Sequence, residues 1–135
     1  IVSGEKRIFH GTDVDGVGAI AVHPTFKYFA VAEKGILPNI YIYEYPSLKL
    51  YRILRKGTER MYAHVEFSIY SKGDVLASLG GDPDFTLTIW NWKNEKVVLK
   101  NKAFGAEVYR VSFSPYTDNV LFTMGSIHIR FWKMA

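Results

Sequence analysis

Apolar and polar positions alternate in short runs along this chain. Ile40-Tyr41-Ile42-Tyr43-Glu44-Tyr45 is dense in β-branched and aromatic residues, and Phe85-Thr86-Leu87-Thr88-Ile89-Trp90 alternates apolar residues with Thr. Ile127-His128-Ile129-Arg130-Phe131 repeats the alternation. A period of two turns successive side chains to opposite faces, so each run reads as a half-buried strand. Between the runs stand Lys72-Gly73-Asp74, Gly80-Gly81-Asp82-Pro83-Asp84 and Thr117-Asp118-Asn119. These are residues that turns favour. No stretch carries a convincing helical period, so the pattern predicts an all-β chain.

The strands recur in order. Val22-His23-Pro24, Phe67-Ser68-Ile69 and Phe113-Ser114-Pro115 stand 45 and 46 residues apart. Tyr28-Phe29-Ala30-Val31-Ala32 aligns with Val75-Leu76-Ala77-Ser78-Leu79 and Val120-Leu121-Phe122-Thr123-Met124. Ile42-Tyr43, Ile89-Trp90 and Phe131-Trp132 follow at 47 and 42. Three landmarks sharing one period mark a repeat architecture. The spacing predicts strands near 18–23, 28–33, 39–45 and 49–54, then near 62–68, 75–79, 85–92 and 96–101. A third unit runs from Val108 to Trp132 without a fourth strand, and residues 6–10 read as the outer strand of an earlier unit. The expected divisions are 1–16 (end of a preceding blade and loop), 17–56 (blade), 57–104 (blade) and 105–135 (incomplete blade).

Composition supports a packed core: 48% of the 135 residues are hydrophobic and 16% aromatic, which excludes a disordered chain. There are no cysteines, so disulfides, thiolate zinc sites and Cys nucleophiles are excluded. That absence suits a reducing compartment, as does the lack of an Asn-x-Ser/Thr sequon. No apolar run approaches the roughly 18 residues of a membrane span, and no membrane partner is expected. The chain opens on Ile1 with no leader pattern, and both ends read as cut from a longer polypeptide. A net charge of +4 admits an acidic partner without pointing to nucleic acid.

Val75-Leu76-Ala77-Ser78, Gly80-Gly81-Asp82 and Leu87-Thr88-Ile89-Trp90-Asn91 resemble a WD repeat, and Val111-Ser112-Phe113-Ser114-Pro115 resembles that family's inner-strand signature. The resemblance covers nearly the whole chain. It implies a partial β-propeller, about three four-stranded WD-repeat blades of a larger one. The defining Trp-Asp pair is Tyr43-Glu44, Trp90-Asn91 and Trp132-Lys133 here, and the family's Gly-His is Gly57-Thr58 and Gly105-Ala106. The family's His–Ser–Asp–Trp hydrogen-bond tetrad is therefore expected to be incomplete. Unit two keeps Ser78, Trp90 and either Asp82 or Asp84 for it. Three blades do not close a ring, since propellers use roughly four to eight. The segment Gly18 to Tyr45, the Gly81-Asp82-Pro83-Asp84 turn and Ile89-Trp90-Asn91-Trp92-Lys93 are similar to the axonemal cilia- and flagella-associated WD-repeat proteins that tether inner dynein arms to doublet microtubules. The echinoderm microtubule-associated-protein-like family is the nearest alternative, and a general WD-repeat scaffold in another complex is a further one. The resemblance implies a scaffold of cytoplasm, cytoskeleton and axoneme, in a multi-protein complex with axonemal proteins, tubulin and dynein-associated subunits as partners.

Each catalytic or ligand motif meets a plainer explanation. Gly16-Val17-Gly18-Ala19-Ile20-Ala21 fits a dinucleotide fingerprint, yet that chemistry needs a helix afterwards and Pro24 follows. Asp13-Val14-Asp15-Gly16 starts like a calcium loop, but Val17 and Pro24 occupy ligand positions. Asp82 and Asp84 form a carboxylate pair, and a tight turn explains them. His10, His23, His64 and His128 lack metal-ligand spacing and read as surface or edge residues, and no Gly-x-Ser-x-Gly elbow exists. No enzymatic activity, cofactor or metal is expected.

Two basic groups are the candidate partner-binding rim: Lys49, Arg52, Arg55, Lys56 and Arg60 around the last strand of unit one, and Lys93, Lys96, Lys100 and Lys102 around that of unit two. An acidic filament surface is one target, while edge strands also carry Lys to block aggregation. Tyr43, Trp90 and Trp132 recur in register, which predicts structural blade aromatics.

Overall fold

The computed structural model describes residues 14–69, 73–101, 108–116, 120–125 and 128–133. Eleven strands and one 3-10 turn are assigned among them. Strands β1 (Val14–Val22), β2 (Tyr28–Gly35), β3 (Ile40–Glu44) and β4 (Leu50–Leu54) form an antiparallel sheet in chain order. Strands β5 (Tyr62–Phe67), β6 (Leu76–Gly80), β7 (Leu87–Asn91) and β8 (Lys96–Asn101) form a second. Strands β9 (Val108–Phe113), β10 (Val120–Gly125) and β11 (His128–Lys133) form a three-stranded third. The 3-10 turn, Trp92–Asn94, joins β7 to β8. The first strands of successive sheets, β1, β5 and β9, lie against one another. These are three blades of a propeller, and the described residues do not close a ring.

The register repeats as the sequence alignment requires. Phe29 pairs with Tyr43, Leu76 with Trp90, and Leu121 with Trp132. A register shift recurs between Ile42 and Tyr43 and between Ile89 and Trp90, so the outer strand of each four-stranded blade is bent at the same place.

The core lies between blades rather than within them. Ala30, Ala32, Ile40, Ile42 and Leu54 of the first sheet pack on Tyr62, Val65, Phe67, Leu76, Trp90 and Trp92 of the second. The second sheet turns Ala77, Leu79, Leu87 and Ile89 the other way, against Val108, Val111, Phe113 and Leu121 of the third. Alternation along β6 and β7 therefore feeds two interfaces, which is why both strands are almost continuously buried. One strand departs from expectation. β1 begins at Val14, where residues up to 16 were expected to be loop, and Val14 pairs with Gly35. Gly16, at φ 137°, and a register shift after Val14 let the strand carry on past the irregularity.

Candidate functional site

Close backbone approaches and polar bonds join the described blades into one frame. The Gly16-x-Gly18 pair illustrates the frame. Both glycines lie in an antiparallel strand with no helix following, so a pyrophosphate has no helix N-terminus to meet. A side chain at Gly18 would strike the Tyr62 carbonyl, so this glycine lets β1 approach β5.

The second blade carries a divided polar network. Trp90 Nε1 donates to Ser78 Oγ at 2.8 Å, with both residues buried. Separately, Thr58 Oγ1 lies 2.7 and 2.9 Å from the two Asp84 carboxylate oxygens, and Thr86 Oγ1 donates to Asp84 Oδ2 at 2.8 Å. Asp84, not Asp82, is the acid of the incomplete tetrad; Asp84 is buried and Asp82 exposed. Thr58 stands where the family has His and is too short to reach across to Ser78 as well, which leaves two halves. The Tyr62 hydroxyl lies beside this gap at Gly57 and makes no hydrogen bond among the described residues. Burial pushes its phenol well above the ordinary range; the facing Gly57 backbone opposes the shift from a position that falls short of a hydrogen bond.

His23 corrects the expectation of a surface or edge histidine. It is buried at the junction of the first two blades, in edge-on contact with Tyr28, Phe67 and Trp92. Its Nε2 meets the Gly73 carbonyl at 3.2 Å, and the Thr25 amide donates to Nδ1 at 3.2 Å. A carbonyl only accepts and an amide N–H only donates, so these bonds select the neutral tautomer with the proton on Nε2. Trp92 Nε1 donates to the same carbonyl at 2.7 Å. Burial lowers the His23 pKa below its ordinary value. His64 lies half-buried, 4.0 Å from the Glu66 carboxylate, and Glu66 accepts the Phe113 amide of the third blade at 2.9 Å. Among the described residues no cluster of His, Asp and Glu can hold a metal ion.

The repeated aromatics occupy different surroundings. Trp90 is 1% exposed, whereas Trp132 is half-buried and donates to Thr123 Oγ1 at 3.1 Å. Tyr43 stacks on Phe29 at 5.3 Å between ring centres and is half-buried.

The basic residues do not form one rim. Arg52 Nε donates to the Lys93 carbonyl at 2.7 Å while its guanidinium lies over the Tyr51 ring. Lys100 Nζ donates to the Lys56 carbonyl at 2.6 Å. Glu95 adds a third tie, accepting the Ile53 amide at 3.0 Å. Arg52 thus ties β4 to the Trp92–Asn94 turn of the next blade, and Lys100 ties β8 to the β4–β5 connection. Lys93 lies in the 3-10 turn, 5.5 Å above the Trp92 ring. Lys49 and Lys96 stand exposed at the rim. Arg55, Lys56 and Arg60 belong to the connection that crosses from outer strand β4 to inner strand β5, which carries Arg60 away from the rim to the β2–β3 hairpin. His10, Asp13, Lys102, Gly105 and Ala106, with the strand expected at 6–10, lie outside the described residues.

No protein-family model matches the chain. Individual proteins do. Cilia- and flagella-associated protein 44 of Mus musculus is 58% identical over 120 residues, covering 89% of this chain and 6% of that protein. Its Chlamydomonas reinhardtii counterpart is 48% identical over 139 residues, covering 98% and 8%. The chain is a stretch of WD-repeat β-propeller related to these ciliary proteins. Echinoderm microtubule-associated protein-like 2 of Rattus norvegicus is more distant, 28% identical over 129 residues, covering 89% of the chain and 20% of that protein. This WD-repeat arc therefore spans under a tenth of the ciliary relatives it matches.

Proposed function

We propose that the chain is a non-enzymatic scaffold segment of cilia and flagella, presenting surfaces through which its parent protein helps anchor dynein-associated complexes to doublet microtubules. The observation that carries the ciliary part is the 58% identity to a cilia- and flagella-associated protein across 89% of the chain. A scaffold role is supported by the architecture: Arg52, Glu95 and Lys100 are spent on ties between blades, and the exposed loops stand on a β frame. The test is to remove this segment from the full-length parent in a ciliated cell. Dynein-associated subunits should fall away from doublets isolated from the mutant. Retention of the normal complement would reject the anchoring role while leaving ciliary residence open to imaging of the tagged parent.

A cytoplasmic microtubule-associated role is the second reading, favoured by the similarity to a microtubule-associated relative. Under it, the parent protein pellets directly with bare microtubules. Charge reversal at the exposed rim cations Lys49 and Lys96 then weakens pelleting more as salt is lowered. Under the first reading, bare microtubules are insufficient.

A further inference from the structure

The face that the second blade turns toward the first carries hydroxyls as well as apolar side chains. Leu76 and Trp90, paired across β6 and β7, belong to the core shared with the first blade. The next pairs on that face are Ser78 with Thr88 and Gly80 with Thr86, and all of these residues are buried. Thr58 and Tyr62 meet this layer from the first blade's side. Thr58 Oγ1 stands over Gly80, where an added side chain would strike it. A side chain at Gly57 would strike both the Tyr62 hydroxyl and Cζ2 of Trp90. That carbon lies on the indole edge that carries Nε1, and Nε1 donates to Ser78 Oγ. The hydroxyls of Thr58, Tyr62 and Ser78 thus border one small space between the blades, with Thr88 directly across from Ser78.

The protons in this space do not balance. Thr58 and Thr86 give theirs to Asp84, and Trp90 gives its own to Ser78. Ser78 still has its own proton to give, and Thr58 Oγ1 still has lone pairs to share. Among the described residues, the Tyr62 hydroxyl and Thr88 Oγ1 are buried with no hydrogen-bond partner, and both residues are 0% exposed. An unpaired buried hydroxyl carries the full cost of its desolvation, and folded chains commonly meet such groups with internal water. The chemistry of the groups selects the ligand. All four are neutral, and the nearby Asp84 carboxylate is already engaged by two hydroxyls. A metal would need further anionic or imidazole ligands, and the described residues hold no such cluster.

We propose that one buried water joins the two halves of the second blade's polar network. It accepts protons from Ser78 and Tyr62 and donates to Thr58 Oγ1 and Thr88 Oγ1, within the roughly two to four bonds a buried water makes. The Trp90–Ser78 pair is then continuous with the Thr58–Asp84–Thr86 cluster. The β4–β5 connection is thereby bonded through to the middle of the second blade. The site does not depend on where in the cell the parent protein resides.

The test is high-resolution diffraction from crystals of the full chain, with two variants followed by thermal unfolding in solution. An ordered water should lie within about 3.2 Å of the Tyr62 hydroxyl and of at least two of Thr58 Oγ1, Ser78 Oγ and Thr88 Oγ1. Tyr62→Phe and Thr88→Val each remove one partner of the water and nearly keep the shape of the side chain. Each should lower the thermal midpoint by about 2–6 °C. A hydroxyl without a water gives the opposite sign, since its removal relieves an unpaired group. Both losses involve the same water, so the double variant should fall by less than the two single drops combined. A dry space, a direct bond from Tyr62 to one of the other hydroxyls, a midpoint unchanged or raised in either single variant, or drops that simply add would overturn the proposal.

Discussion

The first and second blades share a register and differ in how they spend it. The second is buried on both faces and holds its strands with buried polar bonds, Trp90 to Ser78 and Asp84 to Thr58 and Thr86. At the position of Ser78 the first blade has Val31, and at that of Trp90 it has Tyr43, which stacks on Phe29. Its contribution to stability comes from the junction where His23, Tyr28 and Tyr51 meet Phe67 and Trp92. One register is thus filled by different residues in the two blades. A blade packed on both faces desolvates its polar groups and must pair them.

The largest test of that difference is truncation of the matched aromatics. Trp90→Ala removes a side chain that is 1% exposed and should destabilise by about 3–5 kcal/mol in denaturant unfolding. Tyr43→Ala, at the half-buried counterpart, should cost clearly less. Equal losses would mean that the two blades are stabilised alike. Next comes the divided network. Asp84→Asn leaves Thr58 and Thr86 poorly paired in a buried loop and should cost about 1–3 kcal/mol by the same measurement. Asp82→Asn, in the exposed part of that loop, should stay within about 0.5 kcal/mol.

A pH series separates the junction from the network. The His23 pKa is lowered in the folded state, chiefly by burial, so folding favours the neutral ring. The stability tied to it is complete above the ordinary value of 6.5 and is lost as pH falls through the lowered folded value. The thermal midpoint should therefore drop across that acidic window, and His23→Gln should flatten the drop. An unchanged slope in the variant would remove His23 as its source. The smallest effects belong to the outer strands. Arg52→Ala breaks the bond to the Lys93 carbonyl and should cost about 0.5–1.5 kcal/mol. Lys96→Ala should change stability by less than about 0.5 kcal/mol.

Much of the architecture is legible in the residues themselves. Alternation gives the strands because a two-residue period matches only a pleated chain. The alignment of Phe29 with Leu76 and Leu121, and of Tyr43 with Trp90 and Trp132, carries the register that the sheets adopt. The replacement of Gly-His by Gly57-Thr58 foretells a broken tetrad, because Thr has the hydroxyl but not the reach. Other features depend on distance in space. His23 and Gly73 are separated by 50 residues, and no local pattern distinguishes a buried histidine from an edge one. The choice of Asp84 over Asp82 turns on which carboxylate faces Thr58, since both suit a turn equally.

The basic residues mark the same boundary. Their identity and clustering are matters of sequence, but Arg52 and Lys100 are drawn off to carbonyls of neighbouring segments, and Arg60 is carried to the hairpin of the first blade. By itself the sequence determined the strands, their order and the repeat, because backbone sterics and the burial of one strand face act over a few residues. Only the tertiary structure decided which of the described polar groups are paired and which cations are drawn to carbonyls of other segments. Those outcomes depend on contacts between blades, where residues far apart in the chain compete for the same hydrogen bonds and the same dry space.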